Sequence, residues 1–324
     1  MVEKKLPRDV FVDTLYEEAR KDKDIYLLSA DFGGRALENF RKELPGQFLF
    51  MGICEQNMIN LAQGLSLAGN KPYCYAMDSF IAIRCLEQIK LAAITMQIQP
   101  NTYLNLIGVG AGFGYKDAGP THYTTEQIGI LRCIPNIEII SPCDSISTKE
   151  AAKLSYSNYG LRYVRLDREY LPNIYEERIE DLIKEGMYEL EKGYDSCIIT
   201  TGYMVSKALE LKKRLNSFDF NIGVIDLFRV KPLNKDFLLK KLENYKSAIT
   251  LEEHFTCGGV GELIASILKT ENTNIPLKTI GVDERYYFEN ASNSGGREYI
   301  HKLAGIDIDT LMLKIKSFID DRNN

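Results

Sequence analysis

Histidine is scarce in this 324-residue chain, with only His122, His254 and His301. The seven cysteines, at 54, 74, 85, 133, 143, 197 and 257, form no CxxC pair. Scattered among apolar neighbours, they read as reduced, buried thiols of a cytoplasmic protein, which excludes a disulfide framework and a zinc site. No residue is assigned to a metal. No apolar run reaches the length of a membrane span, and the start, MVEKKLPRDVF, lacks the apolar core of a signal peptide. Positive charge is not in excess: 40 Lys and Arg against 45 Asp and Glu leave a net charge of -5. Nucleic acid and anionic membranes are therefore not expected as partners. Small phosphorylated ligands stay open, because a local group of arginines can act inside an acidic protein.

What is present is alternation. The length suits two domains. An amphipathic stretch over 9–21 is followed by apolar, strand-sized runs at 24–31, 71–77, 102–109, 138–142 and 162–166, with helical patterns between them. A tyrosine- and charge-rich segment, YLPNIYEERIEDLIKEG (170–186), interrupts the rhythm. A second series then runs through 196–202, 221–227, 247–253 and 276–282. Strands separated by helices and bounded by Gly or Pro predict parallel sheets with helices on both faces. The expected fold is α/β, two three-layer domains with mostly parallel sheets. Their expected extents are 1–178 and 188–324, with a boundary near 175–190.

MGICEQNMINLAQGLSLAG (51–69) places Glu55 at the mouth of a helix whose other positions are apolar or small, with no Lys or Arg nearby in sequence. By itself this is a first-turn glutamate favoured by the helix dipole. Three further features weigh against so plain a role. MDSFIAIRCLEQI (77–89) sets Phe80 at a strand-to-helix junction, with Arg84 and Gln88 following at helical spacing. GVGAGFGYKDAGPTH (108–122) is a glycine-rich loop after a strand, a device that lets backbone approach a ligand, and it is neither a P-loop nor a GxGxxG fingerprint. His122 is the one histidine in such a loop.

The order GICEQNM, then a Phe with RxxEQI, then GPTH with LRCIPNIEIISPCD and LDREYLP, resembles the pyrimidine-binding half of transketolase. VDERYYFENASN (282–293) and the terminal helix resemble the transketolase C-terminal domain. VIDLFRVKPL (224–233) and LEEHFTCGGVGELIASIL (251–268) are also similar to 2-oxoacid dehydrogenase beta subunits and deoxyxylulose phosphate synthase, which share thiamine diphosphate. The resemblance implies that Glu55 is catalytic, hydrogen-bonding ring nitrogen N1′ of the cofactor's aminopyrimidine. That role suits a carboxyl whose pKa is raised by desolvation.

Carried over position by position, Phe80 is the aromatic that stacks on the aminopyrimidine. Met77 and Ile83 either line the same apolar slot or are plain core. Arg168 and Arg8 correspond to arginines that grip a substrate phosphate, for which guanidinium forks are suited. Arg35 either strengthens that clamp or alters its shape, and Asp31 holds the loop or an arginine in place. His122 corresponds to an active-site histidine that contacts substrate hydroxyls and passes protons. The positions that carry a histidine and an aspartate ahead of GPTH in transketolases are Gly110 and Ala118 here. Their loss removes polar contacts that discriminate between sugars and leaves open a modified ketose, a bulkier acceptor or a sugar of a surface-glycan pathway. Tyr115, Lys116 and Tyr123 are possible replacements. His254, Glu252 and Glu253 are expected to be structural or interfacial.

The Gly-Asp-Gly signature that fixes the cofactor diphosphate through Mg²⁺ is absent from the sequence. The resemblance thus implies the C-terminal subunit of a split transketolase. A second chain carrying GDG…N would hold Mg²⁺ (or Ca²⁺) and the diphosphate, in an α2β2 heterotetramer. The expected reaction transfers a two-carbon ketol unit from a ketose, phosphorylated or otherwise modified, to an aldehyde or ketone acceptor. The alternatives are a decarboxylating subunit like deoxyxylulose phosphate synthase or 2-oxoacid dehydrogenase, and a non-catalytic regulatory subunit.

Overall fold

The computed structural model describes residues 6–30, 34, 37–176, 179–288 and 296–323. Helix α1 (Pro7–Ala19) opens with a proline at a position whose N–H is not needed. It buries Phe11, Val12, Leu15, Tyr16 and Ala19, a stripe at helical spacing. The first domain continues as β1 (Ile25–Ala30), α2 (Leu37–Glu43), β2 (Phe48–Gly52), α3 (Glu55–Leu67) and β3 (Lys71–Met77). A π-helical turn, Phe80–Arg84, leads into α4 (Leu86–Ile98), followed by β4 (Tyr103–Val109), α5 (Gln127–Arg132), β5 (Ile137–Ile140), α6 (Ser145–Ser157) and β6 (Gly160–Leu166).

After the irregular stretch that follows β6 come α7 (Glu180–Glu185), β7 (Tyr188–Glu191), β8 (Ser196–Thr200), α8 (Met204–Asn216), β9 (Ile222–Asp226) and β10 (Arg229–Lys231). The chain then runs through α9 (Lys235–Leu242), β11 (Ser247–Phe255), α10 (Val260–Thr270), β12 (Leu277–Val282), α11 (Gly296–Leu303) and α12 (Ile308–Asn323).

Two sheets result, with strand orders β10-β5-β6-β4-β3-β1-β2 and β12-β11-β8-β9-β7. Every pairing is parallel except those of the edge strands β10 and β7. Successive side chains of each central strand enter opposite layers. Leu27, Tyr73, Tyr75 and Ile107 join the cluster containing Phe11 and Phe40. Leu28, Cys74, Ala76 and Leu106 join the cluster containing Met58, Ile59 and Ile89. Burial on both faces is why these strands are apolar along their whole length. The expected α/β class is the observed one. The thiols depart from expectation: all seven are free, but Cys133 and Cys257 are exposed.

Strand β10 leaves the second half of the chain to pair with β5, Arg229 opposite Ile140, so the two sheets are stitched by backbone. Asp144 caps α6 through a capping box with Ser147. Its other oxygen accepts from the N–H groups of Ile174 and Tyr175 at 3.0 and 2.9 Å, fixing the segment that leaves the first domain. Tyr175 in turn donates to Asp226 at 2.7 Å, and Cys143 donates to the same oxygen at 3.2 Å.

Burial pushes the Asp226 carboxyl up to about 7, against the opposing effect of those two donors. In the unfolded chain this carboxyl ionises near its ordinary 3.8. Between these values the folded chain holds the extra proton, so the contribution is complete below the lower value and is lost as pH rises through about 7. The stability difference between the native chain and Asp226→Asn is therefore expected to shrink from pH 4 to pH 8. Thermal melts of both across that range check this, and a difference independent of pH would contradict it.

A second lock is ionic. Arg297, on α11 and 4 % exposed, donates from Nε to Glu253 Oε1 at 2.8 Å and from Nη1 to Asp167 Oδ1 at 3.1 Å. His301 also bonds Glu253, and Phe113 N–H donates to Glu253 Oε2 at 3.0 Å. Arg297 further reaches the carbonyl of Ala111 at 3.3 Å. Burial alone would raise the Glu253 carboxyl, but the charge and hydrogen bonds of Arg297, with those of His301, hold it well below the carboxylate range. The second domain thus grips the glycine-rich loop of the first, and Glu253 has the structural place expected of it.

Candidate functional site

Chemistry-bearing residues follow the C-terminal ends of consecutive neighbours in the first sheet. Along the order β6-β4-β3-β1-β2 these are Arg168, the loop with Tyr115 and His122, Phe80, and Glu55 after β2. The carboxyl edge of a parallel sheet is where open α/β folds bind ligands. Asp31 and Arg35, which follow β1, lie outside the described residues.

Glu55 is the first residue of α3, where helix N–H groups favour an anion. It is 4 % exposed. Its surroundings are not purely apolar, however. Arg84 Nη1 donates to Glu55 Oε2 at 2.6 Å, closing an ion pair between residues 29 apart in sequence. The sequence places no Lys or Arg close to Glu55 along the chain, and the fold supplies one from the π-helical turn. The π-helical turn aligns the fourth residue after Phe80 with its ring, and the Arg84 Cζ lies 4.2 Å from the ring centroid. His122 meets the same ring edge-on, with centroids 5.4 Å apart and planes at 65°. Its Nδ1 is 2.8 Å from Thr121 Oγ1. Glu55, Arg84, Phe80 and His122, drawn from three elements, form one continuous contact chain.

Met77 ends β3, half-buried against the core. Ile83, within the π-helical turn, is exposed. Asp78, which no sequence motif singles out, follows Met77 in the chain and is wholly buried. It accepts from Thr124 at 2.7 Å, from Gln127 at 3.0 Å, and from Tyr163. Burial raises its pKa against the effect of these donors and of Arg165. A Cβ at Gly108 would come 2.3 Å from Asp78 Oδ1, so β4 needs glycine there. Asp78 thus ties the Phe80 turn to the segment just beyond His122. The available signal was an acid inside MDSF, at the end of an apolar strand.

Gly110 has φ +95°, and a Cβ on it would lie 2.1 Å from the Tyr115 ring. The space a side chain would take there is filled by Tyr115. Arg168 stacks on that ring, its Cζ 4.3 Å from the centroid, and pairs with Asp117 at 3.0 Å. Burial pushes the Tyr115 hydroxyl up to about 12, and the charges of both Arg168 and Arg8 oppose this. Arg8 itself pairs with Asp9 at 3.5 Å. Arg168 thus covers the Tyr115 ring, and the charge of Arg8 is felt at the same hydroxyl. Lys116 is bound to Glu169. Tyr123 is not a ligand contact: its hydroxyl accepts from Tyr287 N–H at 2.7 Å and is buried at the domain junction.

Together these groups suit a flat heterocycle with a basic ring nitrogen, stacked on Phe80 and hydrogen-bonded by Glu55. The planar, hydrogen-bonding cation already held there has the same requirements, so the residues fit the aminopyrimidine of thiamine diphosphate. Among the described residues no group of three or more His, Cys, Asp or Glu could hold a metal ion. None of the described helices is long and apolar enough to cross a membrane.

Residues 4–173 match the family model described as transketolase, pyrimidine binding domain, and residues 186–307 match transketolase, C-terminal domain. One of the subunits of the apulose-4-phosphate transketolase of Phocaeicola vulgatus is 33 % identical over 86 % of this chain and 87 % of its own length. A 6-deoxy-6-sulfo-D-fructose transketolase subunit of a Clostridium species is 29 % identical, covering 85 % and 84 %. Human transketolase is 27 % identical over 87 % of this chain but only 44 % of its own length. A solved split-gene transketolase, an inactive β4 tetramer, superposes with a TM-score of 0.82 at 26 % identity, covering 97 % of this chain and 98 % of that one.

Proposed function

The chain belongs to the transketolase family, and on that premise we propose that it supplies the pyrimidine-binding half of a two-chain, thiamine diphosphate-dependent transferase. The observation that carries this is the buried Glu55 facing a planar cation stacked on Phe80. When bound, thiamine diphosphate supplies the thiazolium carbon that carries a two-carbon ketol unit between substrates. Glu55 holds a proton at ring nitrogen N1′, in a site that excludes water on the protein side. Phe80 fixes the plane of the ring, with Met77 and Ile83 beside it. His122, against the Phe80 edge, orients substrate hydroxyls and moves a proton to or from them. Asp31 and Arg35 are assigned to the same substrate rim.

A partner chain with the GDG…N module is assigned Mg²⁺ and the diphosphate, in an α2β2 assembly within the cytoplasm. Supporting a partner are six exposed apolar side chains on α3 and α4: Leu61, Leu67, Leu86, Leu91, Ile94 and Ile98. Exposed apolar surface beyond scattered single residues marks interaction sites. The test is reconstitution: the chain alone, the partner alone, and the mixture with thiamine diphosphate and Mg²⁺. Turnover is expected only in the mixture. Activity of the isolated chain would refute the split site.

The substrate is assigned to the modified ketoses, phosphorylated or sulfonated at the end remote from the carbonyl, as the names of two relatives suggest. Gly110 and Ala118 support this, because neither can hydrogen-bond a hydroxyl through a side chain. Arg168 and Arg8 are assigned to the terminal anion. Arg168→Ala is expected to raise KM for a ketose phosphate at least tenfold while changing that for hydroxypyruvate less than twofold, about the loss of one charge-assisted contact. Equal effects on the two donors would remove Arg168 from the clamp. The decarboxylating alternative is not favoured, since the relatives above bear transketolase names. Donor comparison of pyruvate with hydroxypyruvate separates the two.

A further inference from the structure

We infer that Arg84 is a latch on the cofactor site: in the unloaded protein its guanidinium occupies the place of the aminopyrimidine, and loading requires it to leave. The inference rests on the proposed role of Glu55. An aminopyrimidine needs a carboxylate partner in its plane and an aromatic face to lie on. Arg84 takes both at once, with Nη1 2.6 Å from Glu55 Oε2 and Cζ 4.2 Å from the Phe80 centroid. A guanidinium can do so because it is flat, delocalised and carries its donors in its own plane.

The backbone makes the pairing possible. Phe80 and Arg84 are the first and last residues of a π-helical turn, capped where Cys85 Sγ donates to the Phe80 carbonyl at 3.5 Å. Widened turns of this kind concentrate at functional sites. The arginine also has a way out. Its side chain is 40 % exposed while that of Glu55 is 4 % exposed, so the cation can swing into solvent without disturbing the core. With the latch closed, the buried carboxylate is never left unpaired, a state that would otherwise carry a desolvation cost. The latch therefore stabilises the unloaded chain and opposes cofactor binding by the same contacts.

The test uses the reconstituted two-chain complex with Arg84→Met. Calorimetric titration with thiamine diphosphate is expected to show a Kd about three- to tenfold tighter than that of the native complex, the scale of one partly exposed ion pair plus one cation–π contact. The thiazole diphosphate fragment, which lacks the aminopyrimidine, should bind both complexes equally. Melting should show the unloaded variant less stable than native and the loaded variant unchanged.

Arg84→Gln, which keeps a flat polar end without the charge, repeats the measurement if the methionine variant fails to assemble. An unchanged or weaker Kd for thiamine diphosphate overturns the latch, as does an equal gain with the fragment. Failure of the underlying reading looks different: the native complex would then bind no thiamine diphosphate, or Glu55→Gln would turn over normally.

Discussion

Replacing Glu55 by glutamine in the reconstituted complex is expected to lower kcat by about 10²- to 10⁴-fold, the range over which a positioned proton-transfer group contributes. Glutamine keeps the shape and one acceptor oxygen but cannot share a proton with a ring nitrogen. Folding should be preserved, because the N-cap of α3 is Cys54, not Glu55, and Met58, Ile59 and Ala62 anchor the helix independently. Steady-state kinetics with hydroxypyruvate, beside melts of native and variant chains, checks both halves. A variant retaining more than about a tenth of native kcat would show that the proton at N1′ is managed elsewhere.

Arg297→Met is expected to produce the largest loss of stability, about 3–5 kcal/mol, the usual consequence of leaving a buried partner charge uncompensated. Two carboxylates depend on this guanidinium, Glu253 and Asp167, and both are nearly inaccessible to water. His301 can answer for part of the Glu253 charge but does not reach Asp167. Urea unfolding of the isolated chain measures the effect, and a loss below about 1 kcal/mol would mean that the cluster is not fully charged. The same variant releases the Ala111 carbonyl and loosens the grip on Phe113, so loop 110–122 should become more susceptible to proteolysis.

Central strands are legible in the sequence because burial on two faces leaves them apolar throughout. KPYCYAM reads as a strand over 71–77, and β3 spans Lys71–Met77. The strands that the pattern does not show, β2, β7 and β10, are all edge strands. Phe48–Gly52 has no fully buried residue and Tyr188–Glu191 is half exposed, so neither shows the continuous pattern. Arg229–Lys231 carries charge at both ends and is a strand only because β5 is there to receive it.

Within the site, Glu55, Phe80 and His122 stand out through local context: a carboxylate in an apolar helix, an aromatic at a junction, a histidine in a glycine-rich loop. Arg84 is visible only as a helical-spacing residue. Its contact with Glu55 depends on how the π-helical turn faces a helix that starts 29 residues earlier, which no local pattern encodes. The Glu253, Arg297 and His301 cluster is hidden for the same reason, its members being joined across 44 and 48 residues. Tyr123, placed beside His122 in sequence, turns instead to Tyr287 at the domain junction.

The most direct measurement is a structure of the two-chain complex with thiamine diphosphate and Mg²⁺. The expected result is an aminopyrimidine lying on Phe80, its N1′ within hydrogen-bond distance of the Glu55 carboxyl. A cofactor bound with its pyrimidine away from position 55, and Glu55 still paired with Arg84, would contradict the assignment.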